Sequence, residues 1–552
     1  MQSSPKYLFV VGGVMSGIGK GVSTASIGRI LKSKGLSVTA IKIDPYINVD
    51  AGTMNPTEHG EVFVLDDGFE TDQDMGNYER FLDTTLPEIN YLTTGRVYLE
   101  VIKRERNLEY KGKNVEVVPD IPLEVIRRIE AAQKAAGAEV VLIEIGGTIG
   151  EYQNIIFLEA ARMMKMRAPR DVGIVMVSYV PIPGNIGEMK TKPTQYAARS
   201  LNSVGLQADV ILARALMPLD DKRKEKIAVF CNIPAERVIS APDVKSIYDV
   251  PINFERDGLG KILCEILDVP DAPAELSDWQ QFVEKSHNGS RDVHLAVVGK
   301  YFDTGAFVLA DSYISVLEAI KHASYSLGVR PKIAYLDSED FESGKLPVEE
   351  LGKYDGVVVP GGFGSRGVEG IVTAIRYARE HKIPYFGLCY GMQWLTVEYA
   401  RHVAGFDKAN TAEVDKNAPH IVIDVMPDQK DKLFKKDYGG TMRLGAYPCA
   451  LKEGTIAHDA YFPSLKLQAS GSALIKERHR HRYEVNPECI EKLEHAGLVF
   501  SGKSPDGRLC EIAELPRSEH PFFLGTQFHP EFLSRPLRPH PLFLEFIKAA
   551  MK

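Results

Sequence analysis

The sequence lacks the cysteine pairs, the long apolar runs and the positive charge that mark several classes of protein. Its six cysteines are scattered and form no C-x-x-C pair, which argues against a disulfide framework or a zinc site. No apolar run approaches the about 20 residues that cross a bilayer, and the start MQSSPKYLFVVGG lacks the pattern of a signal peptide. We therefore expect a soluble, cytoplasmic protein with no membrane partner.

The charge and the composition exclude further classes. The net charge is −8, with 44% apolar and 25% charged residues, which is ordinary for a globular enzyme and argues against a dedicated nucleic-acid binder. The chain shows no internal repeat and no low-complexity tract. Its 552 residues are too many for one hydrophobic core, so at least two domains are expected.

Two segments begin alike and suggest where the chain divides. KYLFVVGG near the start and VHLAVVGK from Val293 are apolar runs that stop at glycine, as buried parallel strands do. Between them, residues 268–292 combine prolines, a short helical stretch and a polar tail, as a linker does. We predict a domain over 1–267, a linker over 268–292 and a domain over 293–552.

Strand-like and helix-like runs alternate in both halves. This alternation predicts an α/β protein with two doubly wound, mostly parallel sheets. Ligands of such sheets bind beyond the carboxyl ends of the strands. Each motif described below lies at such an end.

The stretch VVGGVMSGIGKGVST resembles a phosphate-binding loop with two changes, the first being that five residues instead of four separate Gly13 from Gly19. The usual loop reads G-x-x-x-x-G-K-[ST], and its last hydroxyl holds Mg²⁺; here Lys20 is followed by Gly21. If this is a nucleotide site, carboxylates must hold the metal. The candidates are Asp72, Asp74 and Glu144. The alternatives are a turn without ligand, a solvated acidic loop and a core carboxylate paired with a base.

The second half contains the parts of a thiol-dependent acyl-transfer site. Cys389 lies between Gly387 and Gly391, after an apolar run and before a helical one, which is the nucleophile-elbow pattern. His529 and Glu531, two residues apart, would supply a base and the group that orients it. The alternative is a buried structural cysteine.

The segment from Lys42 to Phe81, with EIGGTIGE and GEMKTKPTQ, resembles the amidoligase domain of CTP synthases. The resemblance implies a P-loop-type fold in which ATP phosphorylates O4 of UTP and ammonia displaces the phosphate. It implies Mg²⁺ on Asp74 and Glu144. ATP would contact Ser16, Gly17, Ile18, Gly19, Lys20, Gly21, Val22, Lys42, Asp74, Pro242, Asp243 and Val244. UTP or CTP would contact Ser16, Glu151, Gln153, Lys190, Thr191, Lys192, Pro193, Thr194, Gln195 and Lys226.

One stretch departs from that family. Its members commonly have Asp-Ile-Glu-Ser where this chain has Glu151-Tyr152-Gln153-Asn154. The family associates these residues with the pyrimidine site and with inhibition by CTP. Glu151 keeps the negative charge, whereas Gln153 loses one, so the departure bears on feedback by CTP.

YFGLCYGMQ, VVVPGGFGSRG and GTQFHPEF together resemble class I glutamine amidotransferases, which implies a flavodoxin-like domain. The resemblance makes Cys389, His529 and Glu531 the catalytic residues, with an oxyanion hole at Gly362 and Tyr390. Glutamine would contact Gly362, Tyr390, Gly391, Met392, Gln393, Glu413 and Arg482, the last chosen over Arg478 and Arg480. GTP, an activator in the family, would act at Arg366, Gly367 and Glu369.

Together the two resemblances imply a glutamine-dependent CTP synthase. The expected partners are UTP, ATP, glutamine, GTP as activator and CTP as product and inhibitor, in a homotetramer without nucleic acid. One alternative is an amidoligase with another acceptor, such as a carboxylate. The other is a catalytically silent assembly subunit.

Overall fold

The computed structural model describes residues 4–184, 187–300, 310–426, 429, 432, 439–463 and 473–552. The chain forms two compact units: residues 1–50 with 74–283, and residues 51–73 with 284–552. In the described ranges, no helix combines the length and the apolar character needed to cross a membrane.

The strands alternate with helices along most of the chain. The strands are β1 (Lys6–Gly13), β2 (Val38–Asp44), β3 (Val62–Val64), β4 (Glu70–Asp72), β5 (Tyr91–Thr93), β6 (Val140–Ile145), β7 (Val172–Tyr179), β8 (Val210–Ala215), β9 (Val238–Pro242), β10 (Asp292–Gly299), β11 (Arg330–Asp337), β12 (Gly356–Val359), β13 (Tyr385–Leu388), β14 (Ala409–Thr411), β15 (His420–Val425), β16 (Arg443–Leu451), β17 (Ala473–His481), β18 (Tyr483–Val485), β19 (Val499–Lys503), β20 (Cys510–Glu514) and β21 (Phe523–Thr526).

The α-helices of the described residues are α1 (Lys20–Ser33), α2 (Pro56–His59), α3 (Gln73–Leu82), α4 (Thr94–Arg106), α5 (Val117–Ala136), α6 (Ile155–Arg167), α7 (Lys192–Ser203), α8 (Asp221–Cys231), α9 (Asp249–Arg256), α10 (Leu259–Leu267), α11 (Ser277–His287), α12 (Ile314–Ser326), α13 (Ser338–Glu342), α14 (Val368–Glu380), α15 (Tyr390–His402), α16 (Ile456–Tyr461), α17 (Pro487–His495) and α18 (Pro541–Ala550). Short 3₁₀ turns occur at Glu88–Asn90, Ala235–Arg237, Ala310–Tyr313, Val348–Lys353 and Pro530–Leu533.

The first unit is built on a seven-stranded sheet of order β5-β2-β6-β1-β7-β8-β9. Every neighbouring pair in it is parallel. All eight residues of β1 are buried, as expected for a central strand covered on both faces. The carboxyl ends of β1, β2 and β6 therefore meet at one edge of the sheet.

The second unit contains a nine-stranded sheet of order β11-β10-β12-β13-β21-β20-β19-β16-β17. The first five strands in this order, β11, β10, β12, β13 and β21, are parallel. If these five strands are numbered along the chain, their order in the sheet is 2-1-3-4-5, which is the flavodoxin-like order. Alternate residues of β10 belong to two different cores: Leu295 and Val297 to one, Ala296 and Val298 to the other. The α/β prediction is confirmed, although the antiparallel strands beyond β21 were not anticipated.

Residues 51–73 belong by their contacts to the second unit, although the sequence division places them in the first domain. Their β3–β4 hairpin is held by β17: Arg478 Nε lies 2.5 Å from Asp66 Oδ1, and Arg480 Nε donates to Glu70 Oε1 at 2.8 Å. These two arginines are two residues apart and so share a face of the strand. The division at 267 and 293 remains a proposal.

The predicted linker is partly helical and is anchored to the first unit. Trp279 of α11 is 1% exposed and donates from Nε1 to Tyr248 O at 2.8 Å. Its ring centroid lies 5.1 Å from that of Phe81 and 5.8 Å from that of Tyr248. This part of the linker is therefore packed against the domain before it.

Candidate active sites

The glycine-rich loop connects β1 to α1 in the way that the sequence predicts. Gly17 and Gly19 have φ values of 72° and 81°, which favour glycine, and α1 begins at Lys20. Lys20 Nζ donates to Gly147 O at 2.9 Å. A Cβ on Gly12 would lie 2.9 Å from Lys20 Nζ, so a side chain at that position would crowd the lysine. Burial lowers the pKa of Lys20.

Three carboxylates surround the ammonium group of Lys42. Lys42 Nζ contacts Asp74 Oδ2, lies 2.9 Å from Glu144 Oε1 and lies 3.6 Å from Asp44 Oδ1. Lys42 and Glu144 are register partners on β2 and β6, whereas Asp74 comes from the first turn of α3. The sequence analysis found Asp74 and Glu144 but missed Asp44, whose signal was a carboxylate at the end of an apolar strand.

Burial and charge act differently on these three carboxyl groups. Burial raises the pKa of Glu144, which also accepts a hydrogen bond from the Tyr78 hydroxyl, and burial raises the pKa of Asp44. Burial acts in the same direction on Asp74, but Lys42 and Lys20 outweigh it and lower the pKa of that group. Asp74 is therefore the most readily ionised of the three.

Asp74 fills the space beside Gly21. A Cβ on Gly21 would lie 1.9 Å from Asp74 Oδ1 and 2.6 Å from Asp74 Cγ. Real Cβ contacts are essentially never that short, so a side chain at position 21 would displace the carboxylate. The missing hydroxyl of the loop is thus replaced in space by a carboxylate from another element.

A cavity of about 200 Å³ joins the loop to the end of β9. It brings together residues that the sequence analysis assigned to ATP from two distant segments: Gly17, Gly19, Val22, Pro242 and Val244. Arg214 also lines it and was missed. Its NH1 donates to Ala241 O and Pro242 O at 3.1 Å. Its signal was a charge at the end of the apolar run ADVILARAL.

The residues assigned to the UTP triphosphate lie at the start of α7. Thr194 Oγ1 accepts from Ser178 Oγ at 3.0 Å, and Gln195 Nε2 donates to Thr191 Oγ1 at 3.1 Å. Lys190 bonds to Glu188 at 2.8 Å. The remaining assigned residues of this motif, Lys192 and Pro193, form the first turn of α7.

Lys226 belongs to the same neighbourhood, although it lies on α8. Lys190 lowers the pKa of Glu188, and Arg223 and Lys226 act in the same direction. Glu151 and Gln153 are exposed, and Glu151 Oε2 lies 2.6 Å from the position of a Cβ on Gly147. This places the Glu151 carboxylate beside the glycine whose carbonyl accepts from Lys20.

Cys389 stands on a strained turn between β13 and α15. Its φ is 50° and its ψ is −95°, a region rare for a residue with a side chain. A Cβ on Gly387 would lie 2.7 Å from the Gly391 backbone, and a Cβ on Gly391 would lie 2.2 Å from Val359 O. Both flanking glycines are therefore required, and the predicted elbow is present.

His529 and Glu531 are placed beside this turn because β13 and β21 are parallel neighbours. Cys389 and His529 both line one cavity, together with Gly362 and Arg480. His529 Nδ1 lies 2.7 Å from Glu531 Oε1. Its Nε2 is buried without a hydrogen-bond partner in the described residues. Burial lowers the pKa of His529, but Glu531 and Cys389 outweigh it and raise the pKa to about 10.

Lys300 fixes the loop expected to form the oxyanion hole. Its Nζ donates to Phe363 O and Gly364 O at 2.8 Å and to the Tyr390 hydroxyl at 3.2 Å. Glu413 accepts from Gly364 N at 2.9 Å. Sequence reasoning found Glu413 but missed Lys300, whose signal was the lysine that ends VHLAVVGK.

Gln393 and Arg482, which are also assigned to glutamine, are both buried. Gln393 is 3% exposed and donates to Tyr483 O at 3.2 Å. Arg482 bonds to Gln429 and Thr441 at 2.7 and 2.9 Å. Of the three candidate arginines, Arg480 is the one that lines the cavity with Cys389.

The residues assigned to GTP lie at the start of α14. Arg366 Nε lies 3.0 Å from Glu339 Oε1, and Glu369 Oε2 lies 2.8 Å from Arg401 NH1. Gly367 has a φ of 65° and precedes α14. Arg366 also donates to Lys300 O, so this segment is tied to the lysine that holds the oxyanion loop.

Comparison with known proteins covers both halves of the chain. Residues 6–269 match the family model described as the CTP synthase N-terminus, and residues 308–549 match that of class-I glutamine amidotransferases. The chain is 50% identical to the CTP synthase of Carboxydothermus hydrogenoformans over 549 residues, 99% of each protein. It is 50% identical to that of Pyrococcus furiosus, over 99% of this chain and 98% of the relative.

A solved structure matches part of the chain. The glutaminase domain of a Trypanosoma brucei CTPS, with bound acivicin, is 38% identical over 47% of this chain and 94% of that one, with a TM-score of 0.42.

Proposed function

Since the chain belongs to the CTP synthase family and converts UTP to CTP with nitrogen from glutamine, we propose how its residues divide this reaction. The carboxylate cluster around Lys42 activates UTP with ATP. The Cys389 elbow releases ammonia from glutamine. The observation that carries the proposal is the triad geometry, in which the His529 nitrogen not bonded to Glu531 is left to exchange a proton with Cys389.

In the first site, the γ-phosphoryl group of ATP passes to O4 of UTP. A carbonyl oxygen is a poor leaving group, whereas phosphate is a good one, so ammonia can then displace it at C4. Lys20 and Lys42 would neutralise the charge on the transferring group. The cavity lined by Gly17 and Pro242 is proposed for the adenosine half of ATP.

The carboxylates of this site fit Mg²⁺. Asp74 and Glu144 converge on one ammonium group. Mg²⁺ prefers hard oxygen ligands, and it typically binds one or two such carboxylates together with phosphates and water. Bound there, Mg²⁺ would supply charge neutralisation for the phosphates. Asp44, which also contacts Lys42, would help to keep that lysine in place.

In the second site, the Cys389 thiolate attacks the carboxamide carbon of glutamine. The oxyanion is stabilised by the backbone N–H groups of Gly362 and Tyr390. The C–N bond breaks as His529 protonates the departing ammonia, and water then hydrolyses the thioester to glutamate. Glu531 holds the His529 ring in place through Nδ1.

The remaining ligand assignments are proposals supported by the family resemblance. We assign residues 190–195 with Lys226, Glu151 and Gln153 to UTP or CTP. Gln393, Glu413 and Arg482 are assigned to glutamine, and Arg366, Gly367 and Glu369 to GTP as activator. We also propose inhibition by CTP and a homotetramer.

Paired cysteine variants test this division. The assay contains UTP, ATP, Mg²⁺ and GTP with either glutamine or an ammonium salt, and CTP formation is followed by absorbance. It is run on the wild type, Cys389→Ala and Cys489→Ala. Cys489 is a buried cysteine of α17 whose sulfur contacts Ile421 O, so it is a matched control. We expect Cys389→Ala to make CTP from ammonium alone. CTP from glutamine in Cys389→Ala would contradict the proposal.

A further inference from the structure

The buried side chain of Gln527 contacts the sulfur atom of Cys389. Its Nε2 lies 3.5 Å from Cys389 Sγ, and the residue is 0% exposed. Gln527 and His529 are two residues apart in the segment that follows β21, so both side chains can point the same way. The sequence analysis singled out His529 and Glu531 of this motif but not Gln527.

A chain of hydrogen bonds fixes the orientation of the Gln527 amide. Tyr483 O is a backbone carbonyl and can only accept, so the Gln393 atom at 3.2 Å from it is the amide nitrogen. That nitrogen also lies 3.3 Å from Gln527 Oε1, which makes the nearer Gln527 atom an acceptor. The NH₂ group of Gln527 is therefore the end that faces the sulfur.

In the second polar contact of the sulfur, the sulfur is the donor. Cys389 Sγ lies 3.7 Å from Arg480 O, and this carbonyl accepts only from the protonated thiol. The Gln527 amide, in contrast, can donate to the sulfur in either state. A donor that remains when the proton leaves favours the thiolate over the thiol.

We propose that Gln527 is a positioning residue for the glutaminase reaction, which holds the Cys389 sulfur in place and stabilises its thiolate through the amide N–H. The inference rests on the proposed role of Cys389. The other ionisable groups around the sulfur are His529, Glu531, Arg480, Glu61 and Glu484, and all remain in the variants below. In Gln527→Met, which introduces no charge, a change in thiolate formation can then be assigned to the loss of the amide.

The variants Gln527→Met and Gln527→Glu remove the donor in different ways. Methionine replaces the amide with an apolar chain of similar length, whereas glutamate keeps the shape and presents only acceptors when ionised. The control is Thr526→Val, since the Thr526 hydroxyl is also buried but donates to Phe528 O rather than to the sulfur. Near-UV circular dichroism and the thermal unfolding transition report whether each variant is folded.

The test is the rate at which iodoacetamide alkylates Cys389 between pH 5 and pH 10, followed by mass spectrometry of the Cys389 peptide. We expect the midpoint of this profile to rise by about one pH unit in both Gln527 variants. We expect kcat for glutamine to fall at least about tenfold with a smaller change in KM. Thr526→Val should keep the wild-type midpoint.

The experiments distinguish failure of this inference from failure of the proposed role of Cys389. A wild-type midpoint in a folded Gln527→Glu variant would overturn the inference, and the same holds for Gln527→Met. Glutamine-dependent CTP synthesis in Cys389→Ala would instead overturn the proposed role of Cys389. If Gln527→Met fails to fold, Gln527→Leu, which is also uncharged and lacks the donor, takes its place.

Discussion

The carboxylate of Asp74 occupies the space into which a side chain on Gly21 would project, with Oδ1 1.9 Å from the position of a Cβ. In the usual phosphate loop, the residue after the lysine supplies a hydroxyl for Mg²⁺. Here that residue is glycine, and a carboxylate from the first turn of α3 lies beside it. The position of the Asp74 carboxylate therefore depends on the absence of a side chain at position 21.

Gly21→Ser should abolish most CTP synthesis even though it restores the usual loop sequence. The new side chain displaces Asp74, and a misplacement of this size costs about 100-fold in rate. The loss should be equal with glutamine and with ammonium, while glutamine hydrolysis persists. Gly184→Ser, at a glycine with open space around it, is the matched control. Wild-type rates in Gly21→Ser would refute the steric argument.

Asp74→Asn should raise the Mg²⁺ concentration needed for half-maximal ADP release by at least about tenfold. The reason is the loss of the carboxylate that is most readily ionised, since Lys42 and Lys20 lower its pKa. Asp72→Asn changes the neighbouring acidic residue of β4 in the same way and should keep the wild-type Mg²⁺ dependence. The measurement is a Mg²⁺ titration at fixed ATP, and equal shifts in both variants would count against Asp74 as a ligand.

Glu531→Gln should move the alkaline limb of the glutaminase pH profile to lower pH. Burial alone lowers the pKa of His529, and Glu531 with Cys389 raises it to about 10. Without the Glu531 charge, the pKa of His529 is lowered by burial and raised less, so the imidazolium loses its proton at lower pH. Above that pH it can no longer protonate the departing ammonia. The profile of kcat/KM for glutamine reports the shift, and an unchanged alkaline limb would show that another group controls it.

Lys300→Met should reduce glutamine hydrolysis by about 10- to 100-fold without affecting CTP synthesis from ammonium. The ammonium group of Lys300 holds two carbonyls of the loop that carries Gly362 and bonds the hydroxyl of Tyr390. Without it, the backbone donors lose their fixed position. Lys353→Met removes an exposed lysine paired with Glu350 and serves as the control. Unimpaired hydrolysis in Lys300→Met would mean that the loop is held by its other contacts.

The parts of the sites that depend on local sequence could be predicted. The elbow needs two glycines around Cys389 and an adjacent strand and helix, all within a few residues. His529 and Glu531 were found from the motif GTQFHPEF, and they follow a strand that is parallel to β13, which brings them to the same edge of the sheet as Cys389.

Contacts between segments that are distant in the sequence could not be predicted. Asp66 and Glu70 pair with Arg478 and Arg480 of β17 across about 400 residues of chain, and nothing in the hairpin sequence indicates that partner. Gln527 was missed for the same reason, and Arg214 was missed although a charge near the end of its apolar run was visible in the sequence. Their roles depend on which atoms face them in the folded chain, and the residue types alone are compatible with ordinary surface or core positions.

The most direct test of the account follows one nitrogen atom through both sites. The protein receives glutamine labelled with ¹⁵N in the amide, together with UTP, ATP, Mg²⁺, GTP and unlabelled ammonium, and the CTP is analysed by mass spectrometry. We predict ¹⁵N in the 4-amino group of CTP made by the wild type and only ¹⁴N in CTP made by Cys389→Ala. CTP without ¹⁵N in the wild type, or labelled CTP in Cys389→Ala, would contradict the claim that Cys389 supplies the nitrogen used at the Lys42 site.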